Sequence, residues 1–82
     1  METKKLKELL AQPSAGSRKL YRAYPTIYRD VVLMEDYEQM VAVNLAAKIR
    51  APMTRARLEI LEAYGIGHRT FYDIRLLLAS IQ

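Results

Sequence analysis

The chain has 82 residues and carries 13 Lys and Arg against 9 Asp and Glu, which gives a formal net charge of +4. It has no cysteine and one histidine, so a disulfide framework and a cysteine-based zinc site are excluded. A chain of this length is expected to form one domain, too small to enclose a pocket with several convergent polar groups. The composition therefore favours a binding protein over an enzyme and predicts no cofactor.

No apolar run approaches the roughly 20 residues that a membrane-spanning helix needs, so no membrane partner is expected. The N-terminal segment is polar and basic, without the apolar stretch of a secretory signal. These features predict a cytoplasmic protein that works by binding a partner.

The spacing of apolar residues predicts an all-α fold, a small helical domain of about five helices. The three glycines and three prolines fall where helices would end or begin, and no stretch alternates apolar and polar residues as a half-buried strand does. We expect a single domain over residues 1–82. Its parts are basic N-terminal helices in residues 2–24, central helices in 25–51 and a helix-turn-helix in 53–81.

A short amphipathic helix is predicted over residues 2–12, where leucines recur on one side. Residues 13–17 are typical of a breaker and loop. Ser17 stands where the N-cap of a helix over residues 18–24 would lie. Pro25 suits the first turn of the next helix, because its missing N–H would have no partner there.

Residues 26–50 have apolar side chains at helical spacing, which fits one long helix or two. We expect two, with a break near residues 34–36, because Glu35-Asp36 is typical of the acidic first turn of a new helix. Pro52 then closes the segment. Asn44 is expected to be partly buried and to fix a register between helices, or else to lie at the wet edge.

The C-terminal residues from 53 onward predict a helix, a glycine turn and a second helix. Leu58, Leu61 and Tyr64 form one face of the first helix, and Gly65 falls where a left-handed residue would end it. The buried stripe of the second helix is predicted at Phe71, Ile74, Leu78 and Ile81.

A resemblance to a known family rests on the run Tyr64-Gly65-Ile66-Gly67-His68-Arg69-Thr70-Phe71-Tyr72. Over residues 54–75 the chain resembles the helix-turn-helix of bacterial regulators of the Fis and resolvase type. The resemblance implies a bacterial, plasmid or phage regulator of transcription that binds double-stranded DNA, with the helix from His68 in the major groove. Two positions depart from the family: Leu61 stands where a small residue lets the helices approach, and Gly67 replaces a capping serine.

The resemblance makes His68, Arg69, Tyr72 and Asp73 exposed positions that face the DNA. Arg69 is expected to bond guanine O6 and N7, worth about 1–3 kcal/mol of discrimination; the alternative is a surface ion pair with Asp73. His68 either contacts DNA or is a solvated helix start, and the hydroxyls of Thr70 and Tyr72 suit phosphate oxygens. The full set of predicted DNA-binding residues is His68, Arg69, Thr70, Tyr72, Asp73, Arg55 and Arg57.

Charge is uneven along the chain. Residues 1–29 hold seven bases and two acids, residues 30–47 four acids and no base, and residues 48–82 six bases and three acids. The acidic segment is expected to be solvated or to meet the basic end of a second copy. A homodimer is also expected because the core of so small a chain is limited.

A protein-interaction module, such as a phage-type inhibitor or assembly factor, is the alternative function, because a helix-turn-helix shape does not decide its use. Tyrosines lie among the N-terminal bases, where they either grip nucleic acid or pack as a helical stripe. The surface expected for a protein partner comprises Tyr21, Tyr24, Tyr28, Leu76 and Leu77.

Overall fold

A computed structural model describes residues 3–81 and places five α-helices in them. They are α1 (Thr3–Ala11), α2 (Ala15–Ala23), α3 (Ile27–Ala46), α4 (Pro52–Tyr64) and α5 (His68–Ile81). These residues contain no strand, so the expected all-α class and number of helices are confirmed for them. None of the described helices is long and apolar enough to cross a membrane. The expected helix start at residue 2 lies outside the described residues, as does residue 82.

The longest helix, α3, is the element on which the other four pack. Its buried residues include Ile27, Val31, Met34 and Tyr37, at the three- and four-residue spacing of one helical stripe. The rest of the buried apolar core comes mainly from α1, α4 and α5: Leu6, Leu10, Ala56, Ile60, Phe71, Ile74 and Leu78.

The expected break near residues 34–36 is wrong, because α3 runs unbroken from Ile27 to Ala46. The two acids that suggested a new helix start have tertiary partners instead. Glu35 lies 3.3 Å from the Lys7 ammonium of α1, and Asp36 accepts a hydrogen bond from the Tyr64 hydroxyl of α4. The acidic pair marks the sides of α3 on which α1 and α4 dock.

The expected N-cap at Ser17 is also wrong, because α2 begins at Ala15 and Ser14 is its N-cap. The Ser14 hydroxyl oxygen accepts the Ser17 backbone N–H at 3.1 Å, and the Ser17 hydroxyl oxygen accepts the Ser14 N–H at 3.0 Å. This reciprocal arrangement is a capping box. The Ser17 hydroxyl donates to the Gln12 carbonyl at 2.7 Å, so Ser17 is buried inside the first turn of α2.

Two prolines lie at places other than those expected. Pro25 lies in the turn before α3, which begins at Ile27, and is outside the helix. Pro52 does not close the central segment but is the first residue of α4, where a missing N–H has no cost. The linker before it contains two non-glycine residues with positive φ, Lys48 at 56° and Ala51 at 53°, and reverses the chain.

Asn44 ties the end of α3 to the beginning of α4. Its side chain is 7% exposed, and its amide nitrogen donates to the Pro52 carbonyl at 3.1 Å. Of the two expectations for Asn44, burial with a polar contact to the next helix is therefore the one confirmed.

Candidate nucleic-acid interface

The C-terminal residues form α4 and α5, with residues 65–67 between them. Gly65 ends α4 in a left-handed backbone conformation with φ 63°. This conformation is strained for residues that have a side chain, so it favours glycine. Both helices pack on α3 more than on each other. The close crossing that defines a helix-turn-helix motif stays a prediction.

The inner face of α5 is held in the core by Phe71, Ile74 and Leu78, all buried. The Phe71 ring meets the Tyr37 ring of α3 edge-on, with 5.1 Å between the ring centres and 70° between the ring planes. The Arg75 guanidinium lies 5.9 Å from the centre of the same Tyr37 ring, within cation–π range. These contacts fix the rotation of α5 about its axis and hence which side chains point to solvent.

The outer face of α5 carries most of the predicted DNA-binding residues. His68, Arg69, Thr70, Tyr72 and Asp73 are all exposed. The exposed fraction is 59% for Tyr72. These five side chains share the first two turns of one helix, and their role in binding DNA stays a prediction.

Arg69 forms no ion pair with any of residues 3–81. The ion pairs among residues 3–81 are Lys7–Glu35 and Arg29–Asp30, so the surface pair with Asp73, the alternative for Arg69, is not formed. The guanidinium of Arg69 is therefore available to an incoming hydrogen-bond acceptor.

The two arginines of α4 do not join this group. Arg55 is exposed in the first turn of α4. It lies nine residues before Tyr64, the last residue of α4, and this separation is about 13 Å along the helix axis. Arg57 is half-buried, and its Nε is enclosed without a hydrogen-bond partner among the described residues. Arg55 therefore presents its charge fully to solvent, whereas Arg57 does so only in part.

The sequence analysis missed the bond that fixes the C-terminal end of α4. The Tyr64 hydroxyl donates to the Asp36 carboxylate of α3. Burial first, and then the hydrogen bond to Asp36 and its negative charge, raise the pKa of Tyr64 from 10.0 to about 12. Tyr64 directly precedes the turn into α5, so this bond positions the start of that helix. The signal in the sequence was Asp36 itself, an acid in the middle of α3 with no cation three or four residues away, which indicates a partner on another helix.

The raised pKa of Tyr64 predicts a pH dependence of stability. The contribution of the neutral hydroxyl is fully present below pH 10 and is lost as the pH rises through about 12. Urea unfolding below pH 10 and near pH 12 should show that Tyr64→Phe costs about 1 kcal/mol at the lower pH, and that this difference shrinks at the higher pH. Tyr72→Phe, which removes an exposed hydroxyl, serves as the control. A Tyr64→Phe difference independent of pH would contradict the assignment.

The surface expected for a protein partner is only partly formed. Leu76 is 52% exposed, and Tyr21, Tyr24 and Tyr28 are 36%, 37% and 40% exposed. Leu77, by contrast, is partly buried and packs against the core, so it presents less of its side chain to that surface than Leu76 does. Each of the three tyrosines is more than one third exposed, so they do not form a buried stripe. The Tyr21 hydroxyl donates to the Leu10 carbonyl at 3.1 Å.

Comparison of the chain with protein-family models, with curated proteins and with solved structures finds no match. The geometry of the described residues therefore carries the functional argument by itself.

Proposed function

We propose that the protein binds double-stranded DNA and that the first two turns of α5 enter the major groove. The observation that carries the proposal is the unpaired, exposed Arg69 on a helix whose opposite face is anchored in the core. A guanidinium held in this way bonds guanine O6 and N7 together, the most frequent specific contact in the major groove. Asp73, one turn further on, accepts from a cytosine amine.

The neighbouring residues of α5 fix the register of the protein on the duplex. The hydroxyls of Thr70 and Tyr72 donate to phosphate oxygens, which position the protein but do not distinguish bases. Arg55 adds a phosphate contact from the other end of α4, and His68 one from the start of α5. Arg57 contributes less, because its guanidinium is half-buried.

A single helix of this kind reads only a few base pairs, so a regulator of transcription needs two copies on a two-fold symmetric site. The proposal therefore includes a homodimer acting as a bacterial, plasmid or phage regulator in the cytoplasm. The thin core of an 82-residue chain supports association of two copies.

Binding to a random-sequence duplex at two salt concentrations tests the proposal. A protein that neutralises four phosphates should lose roughly 100-fold in affinity between about 50 and 200 mM salt, because each contact adds about −0.9 to the logarithmic slope. Fluorescence anisotropy of a labelled duplex measures this directly. Absence of binding at the lower salt concentration, or binding indifferent to salt, would contradict DNA as the partner.

One observation favours a protein as the partner instead. Tyr72 and Leu76 lie four residues apart on the outer face of α5, and both are more than half exposed. Such an apolar pair fits a groove on another protein. Leu76→Gln removes the apolar side chain without adding a charge near the phosphates, so it should abolish docking of that kind and leave the affinity for duplex DNA within about two-fold. The substitution therefore separates the two functions.

A further inference from the structure

The outward side of α2 is a cationic surface that the α5 site does not use. It consists of Arg18, Lys19 and Arg22, all exposed, and is called the α2 cationic face below. Three of the nine residues of this helix are bases and none is an acid.

The inner side of α2 is fixed by polar contacts. Ser17 is buried in the capping box, and the Tyr21 hydroxyl donates to the Leu10 carbonyl of α1 at 3.1 Å. Leu20 packs against the core from the same side. At 100° per residue, residues 18, 19 and 22 fall on the opposite side of the helix, so the three charges share one solvent-facing arc.

The α2 cationic face has no compensating acid. Residues 9–29 contain no Asp or Glu, and the ion pairs of the described chain involve Lys7 and Arg29 instead. Arg18 and Arg22 are four residues apart, a like-charge spacing that destabilises a helix. A nine-residue helix is marginal by itself, so these charges weaken the element that carries them.

We propose that the α2 cationic face binds the phosphodiester backbone of nucleic acid without regard to sequence. Two of its three cations are arginines, whose planar fork matches two phosphate oxygens. The outward arc contains no large apolar side chain, and a helix that binds a lipid surface needs one to enter the acyl region.

This surface is separate from α5. The helix α2 packs on α1 and on the beginning of α3, whereas Phe71 of α5 meets Tyr37 in the middle of α3. The proposal therefore stands or falls independently of the α5 site.

The test compares paired charge removals in the full-length protein. R18Q/R22Q should lower the logarithmic salt slope for a random-sequence duplex by about 2, at about 0.9 per lost phosphate contact. R18K/R22K keeps both charges and should keep the slope within about 0.5 of the wild type. K48Q/R50Q removes two exposed charges from the linker between α3 and α4 and should change the slope by less than about 1. Far-UV circular dichroism verifies that α2 and the rest of the fold persist.

The outcomes separate this proposal from the α5 site. A slope unchanged in R18Q/R22Q but reduced in Arg69→Ala overturns the α2 cationic face and leaves the α5 site in place. A slope reduced in R18Q/R22Q and unchanged in Arg69→Ala supports the face, and the sequence preference of Arg69→Ala then decides the α5 site, because Arg69 is assigned to a base and not to a phosphate. Equal slope losses in R18Q/R22Q and K48Q/R50Q would show a response to net charge alone and overturn the proposal. Tighter binding to phosphatidylserine vesicles than to the duplex, lost in R18Q/R22Q, would assign the face to a membrane surface and overturn it as well.

Discussion

Replacement of Phe71 by alanine should destabilise the protein by about 3–5 kcal/mol, the usual cost of removing a buried phenylalanine. The ring is 2% exposed and packs edge-on against Tyr37, so its loss leaves a cavity between α3 and α5 and removes an aromatic contact. At roughly 0.05–0.15 kcal/mol per residue, a chain of this size has only about 4–12 kcal/mol of stability in total. A large part of the population should therefore be unfolded at moderate temperature.

Thermal unfolding followed by far-UV circular dichroism measures this effect. Tyr72→Ala is the matched control, because it truncates the adjacent ring, which is exposed, and should cost about 0.5 kcal/mol or less. A midpoint for Phe71→Ala no lower than that of Tyr72→Ala would show that α5 is not anchored at Phe71. The outward direction of Arg69 would then lose its structural basis.

Replacement of Arg69 by alanine should weaken binding to a duplex selected from a random library by about 5- to 150-fold, which corresponds to about 1–3 kcal/mol. The loss should be concentrated at one G·C position of the selected site, because only the base contact distinguishes sequences. On a random-sequence duplex, Arg69→Ala removes only the attraction between one positive charge and the phosphates. The loss of affinity should therefore be far smaller than on the selected duplex.

Arg75→Ala is the control for Arg69→Ala, because it removes a cation from the same helix. Arg75 lies over the Tyr37 ring. Its replacement by alanine is therefore expected to leave the preferred DNA sequence unchanged. Competition of selected against scrambled duplexes, measured for both variants, gives the comparison. An Arg69→Ala protein with unaltered sequence preference would remove Arg69 as the reading residue.

Much of the fold was predictable from periodicity, since apolar residues at three- and four-residue spacing mark the inner side of α1, α3 and α5. In α4 the expected face is partly wrong, because Leu58 is 50% exposed whereas Ala56 and Ile60 are buried. Phe71, Ile74 and Leu78 lie in the core as that spacing predicted. The break assigned near residues 34–36 shows where local patterns mislead. An acidic pair has the same appearance at a helix start and in mid-helix, and only its tertiary partners, Lys7 and Tyr64, distinguish the two.

The candidate site shows the same division between local and tertiary information. The exposure of Arg69 and Tyr72 follows from their positions opposite the buried stripe of α5 and was predictable. The half-burial of Arg57 was not, because it depends on how closely α4 approaches its neighbours. Ser17 was assigned to a cap for its residue type, but the reciprocal bond with Ser14 became visible only in three dimensions.

The continuity of α3 has a consequence for any ligand that spans the molecule. Its twenty residues, at about 1.5 Å each, form a helix roughly 30 Å long. The helix α2 lies at one end and the linker to α4 at the other. An unbroken helix of this length neither stretches nor bends sharply at its midpoint. A ligand that contacts both ends must therefore span this fixed distance. A flexible ligand can adjust to it, whereas a stiff ligand of another length cannot.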